Sequence, residues 1–135
     1  MPQLRLNVAA VTIAAPDPRA LAAFYARVLG WPVAREEGPR SGSPPEDGWA
    51  QLAPPSGVAS VGLNFEFEAD YVPPVWPSRS GEQQIMTHLD IEVDDLETAV
   101  AWAVEQGARL AEFQPQEFVR VMLDPAGHPF CLFSG

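Results

Sequence analysis

In the stretch HLDIEV, residues 88 to 93, His88, Asp90 and Glu92 alternate with Leu89, Ile91 and Val93. Residues two apart on a strand share a face, so an imidazole and two carboxylates line up on one side and three aliphatic chains on the other. Such a face can ligate a metal, hydrogen-bond a bound molecule, or simply meet water. The alternation recurs in LNFEFE, where Leu63, Phe65 and Phe67 oppose Asn64, Glu66 and Glu68. Inside a cavity, Glu66 would serve as a ligand, a general base or an anchor for a cation; on a wet strand face it would do none of these. The lone cysteine, Cys131, sits between Phe130 and Leu132 and reads first as an inert wall and second as a soft ligand. His128, in DPAGHP, reads as a turn residue. Trp49, with Tyr71 and Trp76 of a proline-rich segment, can wall a pocket, and aromatics beside carboxylates suit a cationic or flat aromatic molecule. The same rings would equally suit a subunit interface.

Charge narrows the partners. Eight basic and eighteen acidic residues give a net charge of −10, which repels nucleic-acid backbones and anionic membrane surfaces alike. With a single cysteine no intrachain disulfide forms. The apolar run VAAVTIAA is cut by PDP before it could span a bilayer and reads as a strand, so the expected location is the cytoplasm. No Walker loop, GxGxxG, CxxC or GxSxG stretch is present.

The elements that must position these groups occur twice. AVTIAAPDPRALAAFYARVLG (10–30) and HLDIEVDDLETAVAWAVEQG (88–107) each give a strand, an aspartate, an amphipathic helix and a glycine. Asp17 and Asp95 stand 78 positions apart, and Gly30 and Gly107 stand 77 apart. Asp17, Pro18 and Gly30 supply cap, first turn and stop for the first helix, whose apolar face is Leu21, Phe24, Val28 and Leu29. For the second, Asp94 and Glu97 have capping-box spacing, and Leu96, Val100, Ala103 and Val104 form the apolar face. Three strands are expected after each helix, at 31–37, 48–53 and 59–68, then at 108–114, 117–124 and 128–134, with a tight turn at 124–127. The domain plan is one domain over 1–135, with unit one at about 4–70, a connector over 71–84 and unit two at about 85–135.

Paired βαβββ units with PDP or DD helix starts, FYARVLGW after the first helix and DPAGHPFCLF at the end resemble the vicinal oxygen chelate superfamily of glyoxalase I, bleomycin-resistance proteins and extradiol dioxygenases. HLDIEVDDLE, YVPPVWP and DPAGHPFC look like its glyoxalase-like branch common in actinobacterial genomes. The resemblance implies an α+β fold in which the two units form a curved, half-barrel-like mixed sheet with helices outside and a ligand on the concave face. It also implies that metal-dependent members use one residue from the first and one from the last strand of each unit. Aligning the repeats carries this onto Ala10, Glu66, His88 and Cys131. Ala10 has no donor atom, which leaves His88, Glu66 and Cys131 as a ligand set for which zinc is the best match.

The expected function is small-molecule binding in the cavity without a metal, by a homodimer, through Trp49, Asn64, Glu66, Tyr71, Trp76, His88 and Asp90. The alternatives are a metal-dependent lyase, isomerase or dioxygenase acting on vicinal oxygens, and a protein-interaction module. The expected cofactor is none or a divalent metal. Scarce Arg and Lys argue against a glutathione substrate, whose carboxylates would need a basic pocket.

Overall fold

A computed structural model describes residues 4–58 and 61–135. The start expected for the fourth strand, Ala59 and Ser60, lies outside the described residues. The chain divides into two compact units, Met1–Ala69 and Asp70–Gly135. The first holds β1 (Ala10–Ala15), α1 (Pro18–Leu29), β2 (Val33–Glu37), β3 (Trp49–Leu52) and β4 (Gly62–Phe67). The second holds β5 (Asp90–Glu92), α2 (Leu96–Gln106), β6 (Arg109–Leu110), β7 (Val119–Leu123) and β8 (Pro129–Phe133). Each unit forms its own open four-stranded sheet, ordered β1-β4-β3-β2 and β5-β8-β7-β6. In both, the outer strand pairs parallel with the last and the remaining pairs are antiparallel. The fold is α+β, built as a repeated βαβββ unit with a mixed four-stranded sheet in each copy, as expected.

Helix α1 starts where the Asp17 carboxylate accepts the Ala20 N–H at 3.2 Å, with Pro18 opening the first turn. It stops at Gly30, whose φ of 70° turns its N–H back onto the Ala26 carbonyl. One face of α1 is fully engaged: Leu21, Ala22, Phe24 and Tyr25 are buried. The Tyr25 ring stacks on Phe65 at 5.6 Å and meets Phe24 edge-on at 4.8 Å. Phe65, Ala50, Leu52 and Leu63 supply the sheet side of this core.

The second unit is packed differently. Its helix is capped by Asp95 rather than by Asp94, because the Asp95 carboxylate takes both the Thr98 N–H and the Thr98 hydroxyl. Asp95 is also the repeat partner of Asp17, and Glu97 is left in the first turn, where the helix dipole favours an anion. Of the expected apolar face, only Ala103 is buried; Val104 is 47% exposed, and Trp102, one position before Ala103, is 44% exposed. The core of this unit comes from Ala108, Ala111, Val121, Met122, Phe130 and Leu132.

Strand β6 is two residues long where seven were expected. The Gln114 side chain explains the early end: it donates to the Ala111 and Val121 carbonyls and accepts the Val121 N–H, so an amide takes over the pairing of a strand. Residues 71–84, expected as a connector, belong to the second unit. There the Tyr71 hydroxyl donates to the Ala126 carbonyl, the Trp76 indole N–H donates to the Phe113 carbonyl, and the Val75 N–H donates to the Gln83 carbonyl. The turn at 124–127 forms as expected: buried Asp124 accepts the Ala126 and His128 N–H groups, and its carboxylate meets His128 Nδ1 at 2.8 Å.

Candidate functional site

Strand register decides which side chains stand together. In the first unit the pairings Ala14–Glu66, Glu66–Trp49 and Trp49–Glu37 lay one row across all four strands. Thr12–Asn64, Asn64–Gln51 and Gln51–Arg35 form the next row on the same face. Paired residues share a face, and Phe65, Leu63 and Ala50 fill the opposite one beneath α1, so both rows lie on the open side of the sheet. The Trp49 indole N–H donates to Glu37 Oε2 at 2.7 Å. Among the described residues, neither Glu37 nor Glu66 has an ion-pair partner. In the second row, buried Asn64 Oδ1 accepts no hydrogen bond.

A cavity of about 370 Å³ opens beside the first row, lined by Glu37, Arg40, Asp47, Trp49, Glu66 and Phe67, with Gly38 and Gly48 at its wall. Its one cation is already spent. Arg40 binds Asp47 through Nε at 2.9 Å, Nη2 at 3.1 Å and its backbone N–H at 3.0 Å. These hydrogen bonds hold the Asp47 carboxyl well below the usual carboxylate range. Asp47 is 2% exposed and Arg40 is 81% exposed, so the pair is open to solvent on the arginine side and its attraction is screened there. The two remaining carboxylates give the cavity a net negative charge around an indole.

The second unit carries a cluster of another kind. His88, Asp90 and Cys131 each offer a donor atom, and the three atoms lie within 4.8 Å of one another. Asp90 and Cys131 are register partners across β5 and β8, and the Cys131 N–H donates to the Leu89 carbonyl, which fixes that register. His88 Nδ1 stands 3.3 Å from Asp90 Oδ1. Burial, with the charge of Asp90 and a hydrogen bond to it, pushes the Cys131 thiol up from its ordinary value. The half-buried Tyr71 hydroxyl is pushed up as well, by burial and then by the Asp124 charge.

The residues expected to contact a ligand therefore divide between the units. Trp49, Asn64 and Glu66 share the open face of the first. His88 and Asp90 join Cys131 in the second. Tyr71 and Trp76 also belong to the second unit, where their polar atoms are bound to the backbone and their rings lie 5.2 Å from His128 and 5.8 Å from Phe113. The register also corrects the repeat alignment. Ala10 and Thr12 are equivalent to His88 and Asp90, and Thr12 pairs with Asn64 as Asp90 pairs with Cys131. The counterpart of Cys131 is thus Asn64, and that of Glu66 is Phe133. At the two first-unit positions where the resemblance implies metal ligands, the register places the methyl group of Ala10 and the amide of Asn64. Ala10 has no donor atom, so the implied four-residue set is incomplete in this chain.

Sequence reasoning missed Glu37, Arg40 and Asp47. The alternation of Arg35 and Glu37 opposite a strand beginning at Trp49 was a signal for Glu37. Nothing local joins Arg40 to Asp47 across a loop of glycine, serine and proline.

A family model described as a glyoxalase-like domain matches residues 10–133. A glyoxalase family protein from Enterococcus faecalis superposes with a TM-score of 0.64 at 24% identity, over 94% of this chain and 96% of that one. TnmS3, an antibiotic-binding protein from Streptomyces sp. CB03234, superposes with a TM-score of 0.58 at 18% identity, over 98% of both chains. The fosfomycin resistance protein FosX from Mesorhizobium loti gives 0.64 at 12% identity, over 98% of this chain and 94% of that one. No curated protein matches the chain. Its repeated βαβββ unit and the match over nearly its whole length identify it as a member of the glyoxalase-like domain family.

Proposed function

We propose that this protein binds a small organic cation on the open face of its first unit, and that this binding needs no metal. The row Glu66–Trp49–Glu37 beside the 370 Å³ cavity carries the reading. An ammonium or guanidinium group set against the indole gains about 0.5–1 kcal/mol at an exposed site and about 2 when desolvated. The flanking carboxylates add attraction and exclude anions. None of these groups is a histidine or a thiol. The fold is shared with an antibiotic-binding protein, which is in keeping with a small molecule as the ligand.

Isothermal calorimetry with benzyltrimethylammonium, benzyl alcohol and benzoate tests the reading in the presence of a chelator. The cation should bind at least about tenfold more tightly than the alcohol, since the indole and two half-screened carboxylates together supply about 1.4 kcal/mol or more. Trp49→Leu and the double change Glu37→Gln with Glu66→Gln should each remove that preference. Equal affinity for cation and alcohol, or a preference that survives both variants, would sink it.

A further inference from the structure

We propose that the groove between α2 and the sheet of the second unit binds a zwitterion with an apolar body, such as a free aliphatic amino acid, its carboxylate held by Arg120 and its ammonium by Glu97. The groove is built wholly from the second unit, on the helix side of its sheet, so it is separate from the cation site of the first unit and stands or falls apart from it.

Arg120 stands where the repeat calls for a core residue. It pairs with Leu132 on β8, and Leu132 pairs with Ile91 on β5. In the first unit Ala50 pairs with Phe65, and Phe65 with Ile13. Ile13 and Ile91 stand 78 positions apart, as Asp17 and Asp95 do. Arg120 therefore holds the register position of Ala50, which is wholly buried in the core beneath α1. A methyl group there lets a helix close onto its sheet, and a guanidinium does not. Accordingly α1 buries Leu21, Ala22, Phe24 and Tyr25, whereas α2 buries Ala103 alone. A charge carried under a helix is costly unless something pairs with it.

The gap is a groove of about 360 Å³, lined by Leu96, Glu97, Val100 and Ala101 of α2, Leu110 of β6 and Arg120 of β7. Small-molecule sites begin at about 300 Å³. The guanidinium is held in place: Nη1 donates to the carbonyls of Gln116 at 3.2 Å, Glu117 at 2.9 Å and Val119 at 2.9 Å. Nε and Nη2 form the edge that forks onto a carboxylate, the edge by which Arg40 grips Asp47. In Arg120 that edge has no partner among the described residues. Glu97 lines the same groove, and among the described residues neither it nor Arg120 has an ion-pair partner. Two unpaired opposite charges over an apolar floor select one class of ligand. A plain carboxylate would meet Glu97 and the chain's net charge of −10, and a plain ammonium would meet Arg120. A zwitterion answers both charges and is itself neutral. Its aliphatic body would cover Leu96, Val100 and the half-exposed Leu110.

The test follows backbone amide shifts of the isotope-labelled chain on titration with leucine, isocaproate and isopentylamine. These are the zwitterion, the same skeleton without its ammonium and the same skeleton without its carboxylate. Shifts at Leu96, Val100, Leu110 and Arg120 report the groove, apart from any cation taken up by the first unit. Leucine should bind there at least about threefold more tightly than either analogue. Arg120→Gln should weaken leucine and isocaproate by about tenfold or more and leave isopentylamine no weaker. Glu97→Gln should weaken leucine by about two- to fivefold while strengthening isocaproate, opposite signs that a merely disturbed helix start would not produce. No groove shifts with millimolar leucine, or equal affinity for the three ligands, would overturn the proposal. So would a common loss of all three in the exposed Glu97→Gln variant. Groove shifts on diluting the protein alone would assign the groove to a second copy and overturn it as well.

Discussion

Gly48→Ala is the most informative single perturbation of the first unit. Gly48 has a φ of +133°, a conformation that side-chain-bearing residues rarely adopt. A Cβ there would overlap the Glu37 carbonyl oxygen and stand 3.1 Å from the Gly38 carbonyl oxygen. Both obstacles are backbone, so no rotamer change relieves them. The Glu37–Trp49 pair must part, and with it the contact that holds the indole on its carboxylate. Backbone strain of about 1–3 kcal/mol, plus one or two weakened hydrogen bonds at about 0.5–1.5 each, less about 0.4–1 from a stiffer unfolded chain, leaves roughly 2–4 kcal/mol. Gly42→Ala is the control: its φ is +82°, but nothing lies within 4 Å of the added carbon. It should cost less than about 1.5 kcal/mol, the left-handed penalty alone reduced by the same unfolded-state gain. Urea unfolding of both variants, with unchanged dependence on denaturant, measures the difference. Two costs within about 0.5 kcal/mol of each other would refute the claim that crowding against Glu37 demands glycine at position 48.

Two further outcomes follow from packing and charge. Asp47 is held below its ordinary value by Arg40, so its contribution to stability is complete above the usual carboxylate pKa of about 4 and is lost as pH falls below it. The urea midpoint of the wild type should therefore drop more between pH 5 and pH 2.5 than that of Asp47→Asn, and parallel profiles would contradict the pairing. Phe24→Ala should cost about 3–5 kcal/mol, since Phe24 is wholly buried, whereas Trp102→Ala on the 44% exposed position should cost distinctly less. A loss at Trp102 that grows with protein concentration would instead show the face covered by a second copy, as the expected homodimer requires.

The strands, the two helices and the repeat were legible because periods of 2 and 3.6 are local properties of the chain. Face assignment followed for the same reason: Trp49, Asn64 and Glu66 do lie on one side. Register was not legible. A shift of two residues keeps every side chain on its face, so alternation cannot tell Asn64 from Glu66 as the counterpart of Cys131. The apolar stripe of α2 was visible too, but a stripe says which side prefers cover and not that cover exists; Val104 shows the difference. Asp47 needed tertiary closure of the 38–48 loop, which no local pattern encodes.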